Sequence, residues 1–555
     1  MTMKKILISL LWAVTSFATS WAQDATFSYF KYTGNDKRFE KGINSTKAFF
    51  NPILSGFYPD PSVCRRGDTF YLVNSSFSFF PGVPIFESKD LVNWQQIGHV
   101  LDRESQLQLT SQWVSGGIYA PTISYNEHND TFYMITTNVG KGGNFYVKTR
   151  DPHQRWSDPI YLPKVDGIDP SFLFDPNGKA YIVHNAPVMG QAEYDGQRAI
   201  RILQFDVEGD SIIGEPVEIV RGGSHVQEKP IWIEGPHLYH IGKFYYLMCA
   251  EGGTGEGHSE VIFRAKTPMG PWEECPHNPI LTQRSGLNDN RTDKVTCTGH
   301  ADLIETKQGE WWAVFLGCRP YEDNMYNTGR DTYLLPVTWQ DGWPRILESG
   351  KAVPTIVEKS KLTPIDNLLT GNFSYTDHFD GKSLHPRWLF LRNPPPHPHS
   401  LSASGLTLHP ASGNIHQTKP LTALFCRQQH NTFTAETRLD FTATSTRRLA
   451  GMTVFQDEKH HFVFGKTLIQ GRPTLVLRRM ENQDVLIGSC ALPSDTAVRL
   501  KIEADGRYYS FYYALSDNDT WHPVAIGVDG SHLSTARSGG FIGAVIGLYA
   551  TKRNE

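Results

Sequence analysis

Short apolar segments separated by turns recur through the first two thirds of the chain, and five of them share one pattern. In each, a turn is followed by a polar or small residue, and an aromatic residue then opens an apolar run typical of a buried strand. The pattern returns every 48 to 67 residues. The five segments are 67–76, 129–138, 177–186, 241–250 and 308–317, and their aromatic residues are Tyr71, Tyr133, Tyr181, Tyr245 and Trp312.

A second short strand precedes each of these turns at a nearly constant distance. These strands start 11 or 12 positions before the aromatic residue, at Asp60, Pro121, Asp169, Glu234 and His300. Further short strands follow before the next repeat. A unit of four strands repeated around an axis predicts a β-propeller, whereas chance similarity within a β-sandwich does not explain the constant offset. We therefore predict an all-β fold in which residues 51–357 form a five-bladed β-propeller.

The pattern changes near residue 373, where longer alternating segments replace the repeats. About eight strands fit into the remainder of the chain, which is typical of a β-sandwich of the jelly-roll type. We predict this sandwich over 373–555, a connector over 358–372 and an N-terminal segment over 23–50.

Residues 1–22 have the pattern of a secretory signal peptide. Lys4 and Lys5 precede an apolar run from Ile6 to about Phe17, and the small residues Ser20 and Ala22 form a cleavage site. The run is shorter than the roughly 20 apolar residues of a membrane span. The sequence therefore predicts export, with the periplasm as the destination, and no insertion into a membrane.

The composition of the 555-residue chain argues against two classes of site. Its formal net charge of −4 disfavours a nucleic-acid partner, because phosphate contacts need an excess of Lys and Arg. Its 7 cysteines include no Cys-x-x-Cys pair, so we expect no zinc site and predict that most are buried free thiols. The oligomeric state is not indicated.

Three of the five strand-start positions carry a carboxyl group, at Asp60, Asp169 and Glu234. The innermost strand of each propeller blade lines the central axis, so we expect these acids to meet at one mouth of the channel. Like charges brought together raise the pKa of at least one of them. Two carboxyl groups across a sugar ring suffice for glycoside hydrolysis: one protonates the leaving oxygen, and the other activates water or attacks directly.

Six short motifs occur in order along the predicted propeller, namely YPDPS, GIYAP, GIDPS, EGPHLY, TGHAD and LGCRP. Together they resemble glycoside hydrolase family 43, and most of all its β-xylosidase and α-L-arabinofuranosidase branch. The resemblance runs from about Asn51 to Val357. The later segments FTAETRLDF and AGMTVFQDEKHH resemble the concanavalin-like sandwich that follows the propeller in that branch.

The resemblance implies an inverting single displacement that requires no cofactor. Asp60 corresponds to the general base that activates water, and Glu234 to the general acid. Asp169 corresponds to the third acid, which raises the pKa of the general acid and orients it. Inversion leaves room for the water, with carboxyl groups about 6.5–9.5 Å apart.

The resemblance also assigns sugar contacts. Phe77 corresponds to an aromatic wall of the pocket, and Arg319 to an arginine that hydrogen-bonds sugar hydroxyls. Tyr119 stands where several xylosidases of the branch have tryptophan. His300 would lie on the axis beneath the pocket, where the matching histidine of some members helps to hold a structural calcium that is coordinated by water; a hydrogen-bonded core histidine is the alternative.

We therefore predict an exo-acting glycoside hydrolase that releases terminal α-L-arabinofuranosyl residues from plant cell-wall oligosaccharides, such as arabinoxylan or xyloglucan fragments. The choice of arabinofuranoside rests on Tyr119 and on the range of activities within that branch of the family. β-D-xylosidase or dual activity is the alternative. A retaining fructosidase would need an N-D-P-N-G-like segment where this sequence has YPDPS. The alternative that is not an enzyme is a propeller that binds carbohydrate without catalysing a reaction.

Overall fold

The computed structural model describes residues 24–284, 291–365 and 369–552, and it consists almost wholly of antiparallel strands. Its helices are three 3-10 turns, Lys37–Phe39, Val226–Glu228 and Ser531–Leu533, and one α-helical turn, Thr535–Ser538. The prediction of an all-β fold is confirmed. The predicted signal peptide, residues 1–22, lies outside the described residues. None of the helices in the described ranges has the length and apolar character that crossing a bilayer requires.

Five antiparallel sheets occupy the described part of residues 62–345. Sheet 1 contains Ser62–Arg66, Thr69–Val73, Gly82–Ser88 and Gln95–Leu101; sheet 2 contains Ile118–Asn126, Thr131–Asn138, Gly143–Thr149 and Ile160–Tyr161; sheet 3 contains Ile168–Phe174, Ala180–Pro187, Arg198–Asp206 and Ser211–Arg221; sheet 4 contains Glu234–Ile241, Phe244–Glu251, Ser259–Ala265, Glu273–Glu274 and Leu281–Thr282; sheet 5 contains Thr296–Glu305, Trp311–Cys318, Arg330–Gln340 and Trp343–Arg345. The first strand of each sheet contacts the first strand of the next, and that of sheet 5 contacts that of sheet 1. These strands therefore surround one axis, as in a β-propeller.

Each of these first strands has a residue in the left-handed backbone region, either just before it or in its first half. The residues are Asp60, Ala120, Asp169, Gly235 and His300, with φ between 37° and 55°. In sheets 2 to 5 the ladder register shifts at this point, so a β-bulge interrupts the pairing. Four of the five residues precede a proline, which is tolerated there because a bulge leaves its backbone N–H position unpaired.

A β-sandwich follows the propeller in sequence and encloses its own core. Its larger sheet contains, in spatial order, His399–Ser402, Gly405–Leu408, Ala25–Gly34, Thr432–Asp440, Val498–Asp505, Tyr508–Ala514 and His522–Asp529, with Ser374–Asp377 also paired to Ala25–Gly34. Its smaller sheet contains Thr422–Arg427, Val545–Lys552, Arg448–Asp457, His460–Ile469, Arg472–Glu481 and Gln483–Ala491. All seven cysteines have free thiols, and six of them are buried.

The strand Ala25–Gly34 belongs to the sandwich although it precedes the propeller in the chain. It lies in the middle of the larger sheet and pairs with Thr432–Asp440 and Gly405–Leu408. The pattern of the N-terminal segment did not indicate this placement. Two short two-stranded sheets add further links between distant segments: Ala48–Phe50 pairs with Ile356–Glu358, and Phe79–Phe80 pairs with Phe390–Leu391.

Arg319 joins the propeller to both the N-terminal segment and the sandwich. Its guanidinium group is fully buried and donates two hydrogen bonds to Asp331, at 2.8 and 3.0 Å. It also donates to the carboxylate of Asp36 and to the backbone oxygen of Gln429, both at 2.9 Å. The removal of one partner from such a buried network leaves uncompensated charges, so the network stabilises the junction as a unit.

We expect Arg319→Leu to lower the free energy of unfolding by about 3–5 kcal/mol, because it leaves two buried carboxylates without their cation. Urea unfolding followed by tryptophan fluorescence measures this loss. The matched control is Arg438→Leu, which removes an exposed pair with Asp517 and should cost less than about 1 kcal/mol. Equal losses in the two variants would show that the buried network does not hold the junction.

Candidate active site

A pocket of about 400 Å³ opens at one mouth of the propeller axis. Its walls come from the starts of the inner strands, from neighbouring loops and from one residue of the sandwich. The lining residues are Asp60, Phe77, Tyr119, Ala120, Ile168, Asp169, Trp232, Glu234, Gly253, Thr254, His300, Arg330 and Phe541. The three acids that the repeats predicted to converge thus lie in one pocket, and each is more than nine-tenths buried.

The bulges supply backbone N–H groups that orient two of the acids. The N–H of Ala120 donates to the Ser75 hydroxyl at 2.7 Å, and that hydroxyl donates to Asp60 at 2.5 Å. The N–H of Gly235 donates directly to Asp169 at 3.1 Å. Asp60 and Asp169 are therefore each oriented by the bulge in the next sheet around the ring.

Gly235 also meets a steric requirement of the site. Its φ is 54°, and a Cβ atom there would lie 2.9 Å from the imidazole of His300. Only glycine combines this backbone conformation with the close approach of the ring.

Asp60 lies in an environment that favours its ionised form. Burial raises its pKa, but the nearby Arg330 guanidinium and the Ser75 hydroxyl act in the opposite direction, and the pKa lies below the ordinary value. Arg330 donates to one carboxylate oxygen at 3.0 Å. A buried carboxylate held ionised in this way can accept a proton from water.

Glu234 lies in the opposite kind of environment. Burial raises its pKa, and the charges of Asp169 and Asp60 add to this effect, so the pKa reaches about 8. Burial and the charge of Asp60 also raise the pKa of Asp169. The pocket thus holds one acidic group that is ionised near neutral pH and one that retains its proton, as a matched base and acid require.

Arg330 is a site residue that the sequence analysis missed. It follows Gly329 at the start of Arg330–Gln340, and its guanidinium group lies 6.0 Å from the Phe77 ring centroid. The available signal was the charged Arg330-Asp331 pair directly before the mainly apolar segment TYLLPV.

The expectation that Arg319 binds sugar needs correction. Its guanidinium group is fully buried in the network with Asp36 and Asp331, and it does not line the pocket. Arg319 directly follows Cys318, which pairs with Arg330 at the start of the next strand, so the two arginines are close in the same sheet. Arg330 is the one that faces the acids.

Three aromatic rings form one wall of the pocket. Phe77 is stacked on Phe541 with centroids 6.2 Å apart, and Tyr119 contacts both rings edge-on at 5.5 Å. The Tyr119 hydroxyl donates to the Ser115 backbone oxygen at 2.6 Å. The structure thus places the predicted Phe77 and Tyr119 in the wall.

Phe541 comes from the sandwich, in the loop before Val545–Lys552. Its backbone N–H donates to the Ser115 hydroxyl at 3.0 Å, and its backbone oxygen accepts from Arg330 at 3.4 Å. The sequence analysis did not find it, since a single phenylalanine in a loop far along the chain gives no local signal. The sandwich therefore completes the pocket.

His300 lines the floor of the pocket, with its Nδ1 atom 3.7 Å from an Asp60 oxygen. Burial lowers its pKa to about 4, so the imidazole is neutral near neutral pH. Calcium takes six to eight oxygen ligands. In the described ranges no three His, Cys, Asp or Glu side chains are grouped to hold a metal ion. The described residues around His300 therefore form no direct side-chain cage for calcium, and the water-coordinated calcium site stays a prediction.

Comparisons with known proteins agree with these features. Residues 49–344 match the sequence model described as glycosyl hydrolases family 43, and residues 376–555 match the β-xylosidase C-terminal concanavalin A-like domain. A xylosidase/arabinosidase of Butyrivibrio fibrisolvens is 38% identical over 531 residues, which cover 91% of this chain and 96% of the relative. The non-reducing end α-L-arabinofuranosidase BoGH43B of Bacteroides ovatus is 37% identical over 519 residues, which cover 92% of both chains.

Among solved structures, a GH43_12 protein retrieved from a capybara gut metagenome superposes with a TM-score of 0.88 at 42% identity. The match covers 95% of this chain and 99% of that one.

Proposed function

The chain belongs to glycosyl hydrolase family 43, and we propose that it removes terminal α-L-arabinofuranosyl residues from hemicellulose oligosaccharides with inversion at the anomeric carbon. One observation carries the proposal: a single pocket holds a carboxylate kept ionised by Arg330 and a carboxylic acid kept protonated by burial. This pair of environments is what a single displacement by water needs.

In this reaction Asp60 accepts a proton from water as the water oxygen attacks the anomeric carbon. Glu234 donates its proton to the glycosidic oxygen as the bond to the leaving group breaks, so the leaving group departs as a neutral alcohol. Asp169 repels the charge that Glu234 would gain, and this keeps Glu234 protonated. The neutral His300 holds its ring beside Asp60 without adding a competing charge.

The choice of arabinofuranoside rests on Tyr119 in the aromatic wall. Its hydroxyl is tied to the Ser115 backbone oxygen, and its ring packs edge-on against Phe77 and Phe541. A β-D-xylosidase is the second candidate, because the Butyrivibrio relative is named for both activities. We further propose that the five sheets are five blades and that the protein is exported to the periplasm, where plant cell-wall oligosaccharides are its substrates.

We expect the purified enzyme to hydrolyse 4-nitrophenyl α-L-arabinofuranoside faster than 4-nitrophenyl β-D-xyloside. NMR of the first-formed sugar should show β-L-arabinose, the inverted anomer. A higher kcat/KM on the xyloside would establish the second candidate. Retention of configuration would contradict the roles given to Asp60 and water.

We expect Glu234→Gln to lower kcat by about 10²–10⁴-fold on a substrate with a methyl leaving group, because the departing alkoxide then receives no proton. A 2,4-dinitrophenyl leaving group needs little protonation, so kcat of the variant on that substrate should fall much less. The matched control is Glu215→Gln, an exposed residue of sheet 3 that pairs with Lys164. Equal losses on the two leaving groups would argue against an acid role for Glu234.

We expect Asp169→Asn to move the alkaline limb of the kcat/KM–pH profile to lower pH by about one unit. The charge of Asp169 raises the pKa of Glu234, so its removal lets Glu234 lose its proton at lower pH. An unmoved limb would show that Asp169 does not tune Glu234.

We expect Arg330→Met to move the acidic limb of the same profile to higher pH, because the Arg330 charge lowers the pKa of Asp60. Arg330→Lys keeps the charge and should keep the limb closer to that of the unaltered enzyme. If the acidic limbs of the two variants coincide, the charge of Arg330 does not determine that limb, and a group other than Asp60 sets it.

A further inference from the structure

A second hollow adjoins the pocket on the far side of Trp232. It measures about 560 Å³, opens to solvent, and is lined by residues 192–198 together with Trp232. The same tryptophan also lines the main pocket, so it belongs to both spaces. The ring is 41% exposed and lies two residues before Glu234. The reaction as described leaves both the hollow and the ring unused.

The Trp232 ring is held in place by its surroundings. Its backbone N–H donates to the Gly196 oxygen at 2.9 Å, and the Arg198 guanidinium lies 5.2 Å from the ring centroid. Arg198 is fixed in turn by a 2.6 Å hydrogen bond to Asn185. The φ of Trp232 is 54°, a backbone conformation that is strained outside glycine and persists where the surroundings impose it.

The loop that forms the hollow is also held in place. The Tyr194 hydroxyl donates to the Pro230 backbone oxygen at 2.8 Å, and the Glu193 N–H donates to the Gln197 side chain at 2.8 Å. A ligand that enters the hollow therefore meets a formed surface and loses little free energy in ordering it.

The charges around the hollow indicate which ligands it accepts. Glu193 and Asp195 are exposed carboxylates at its rim. Arg198 also lines the hollow, where it donates to the neutral Asn185 and lies over the Trp232 ring, and Arg221 lies 3.8 Å from Glu193. The two carboxylates are thus matched by two guanidinium groups. Carboxylates accept hydrogen bonds from hydroxyl groups and guanidinium groups donate to hydroxyl oxygens, so the hollow favours a neutral, hydroxyl-rich ligand.

We propose that Trp232 is the stacking platform for the sugar on the leaving side of the cleaved bond, and that the hollow takes the next sugar. The proposed acid Glu234 protonates the bridging oxygen, so the leaving sugar lies beside Glu234. The partly exposed Trp232 lines the same pocket and can stack on that sugar. The preferred substrate is then a neutral oligosaccharide with at least two sugars beyond the cleaved bond. This proposal rests on the proposed function.

The test compares arabinofuranosyl-xylotriose with methyl α-L-arabinofuranoside, whose leaving group is too small to reach Trp232. Trp232→Ala should lower kcat/KM on the oligosaccharide by about tenfold, mostly through KM, and change the methyl glycoside less than about twofold. Trp232→Phe should restore most of the loss. The matched control Tyr161→Ala removes an exposed aromatic ring from the outer strand of sheet 2 and should leave both values unchanged.

If Trp232→Ala lowers kcat/KM equally on both substrates, or on neither, Trp232 is not the stacking platform, while the proposed function still stands. If the unaltered enzyme hydrolyses neither substrate but hydrolyses xylo-oligosaccharides, the sugar assignment fails. The platform is then tested on xylotetraose against methyl β-D-xyloside with the same variants and the same expected tenfold difference.

Discussion

The left-handed turn at the start of each inner strand is the constraint on which the pocket depends. A regular strand would direct its side chains alternately to the two faces of its sheet, so a first residue could not reach the axis mouth and still leave the strand in register. In sheets 2 to 5 a bulge changes the direction of the side chain and leaves the rest of the strand paired, and in sheet 1 the left-handed Asp60 lies just before the strand. At sheets 1, 3 and 5 the left-handed residue is itself the pocket residue, Asp60, Asp169 or His300, whereas at sheet 4 Gly235 turns the chain just after Glu234.

The same turns connect neighbouring sheets. Because the N–H groups freed by the bulges bind the acid system of the preceding sheet, the geometry of one inner strand fixes a functional group on another. Backbone strain of about 1–3 kcal/mol at each non-glycine position is offset by the packing of the closed ring. The acids are therefore held by the ring as a whole, which accounts for their burial without loss of hydrogen bonding at Asp60 and Asp169.

The features that sequence could predict are those with a repeated or local pattern. The constant offset between hairpin and aromatic residue predicted the inner strands and the convergence of Asp60, Asp169 and Glu234. Arg330, Phe541 and the strand Ala25–Gly34 had no such pattern, because each acts through contacts with segments far away in the chain. Arg319 was assigned wrongly for the same reason. A short motif does not reveal which of two arginines on neighbouring strands faces the axis and which is neutralised by Asp36 and Asp331.

The position of Ala25–Gly34 within the sandwich has a consequence for how the protein acquires its activity. This strand pairs with partners about 400 residues later in the chain, and contacts of such long range close slowly, after local structure has formed. The propeller can assemble its ring of acids from consecutive hairpins, but the Phe541 wall arrives only when the sandwich closes around the early strand. Without the closed sandwich the pocket lacks the Phe541 ring, so its aromatic wall is incomplete. Closure of the sandwich around the early strand is therefore needed for a complete pocket.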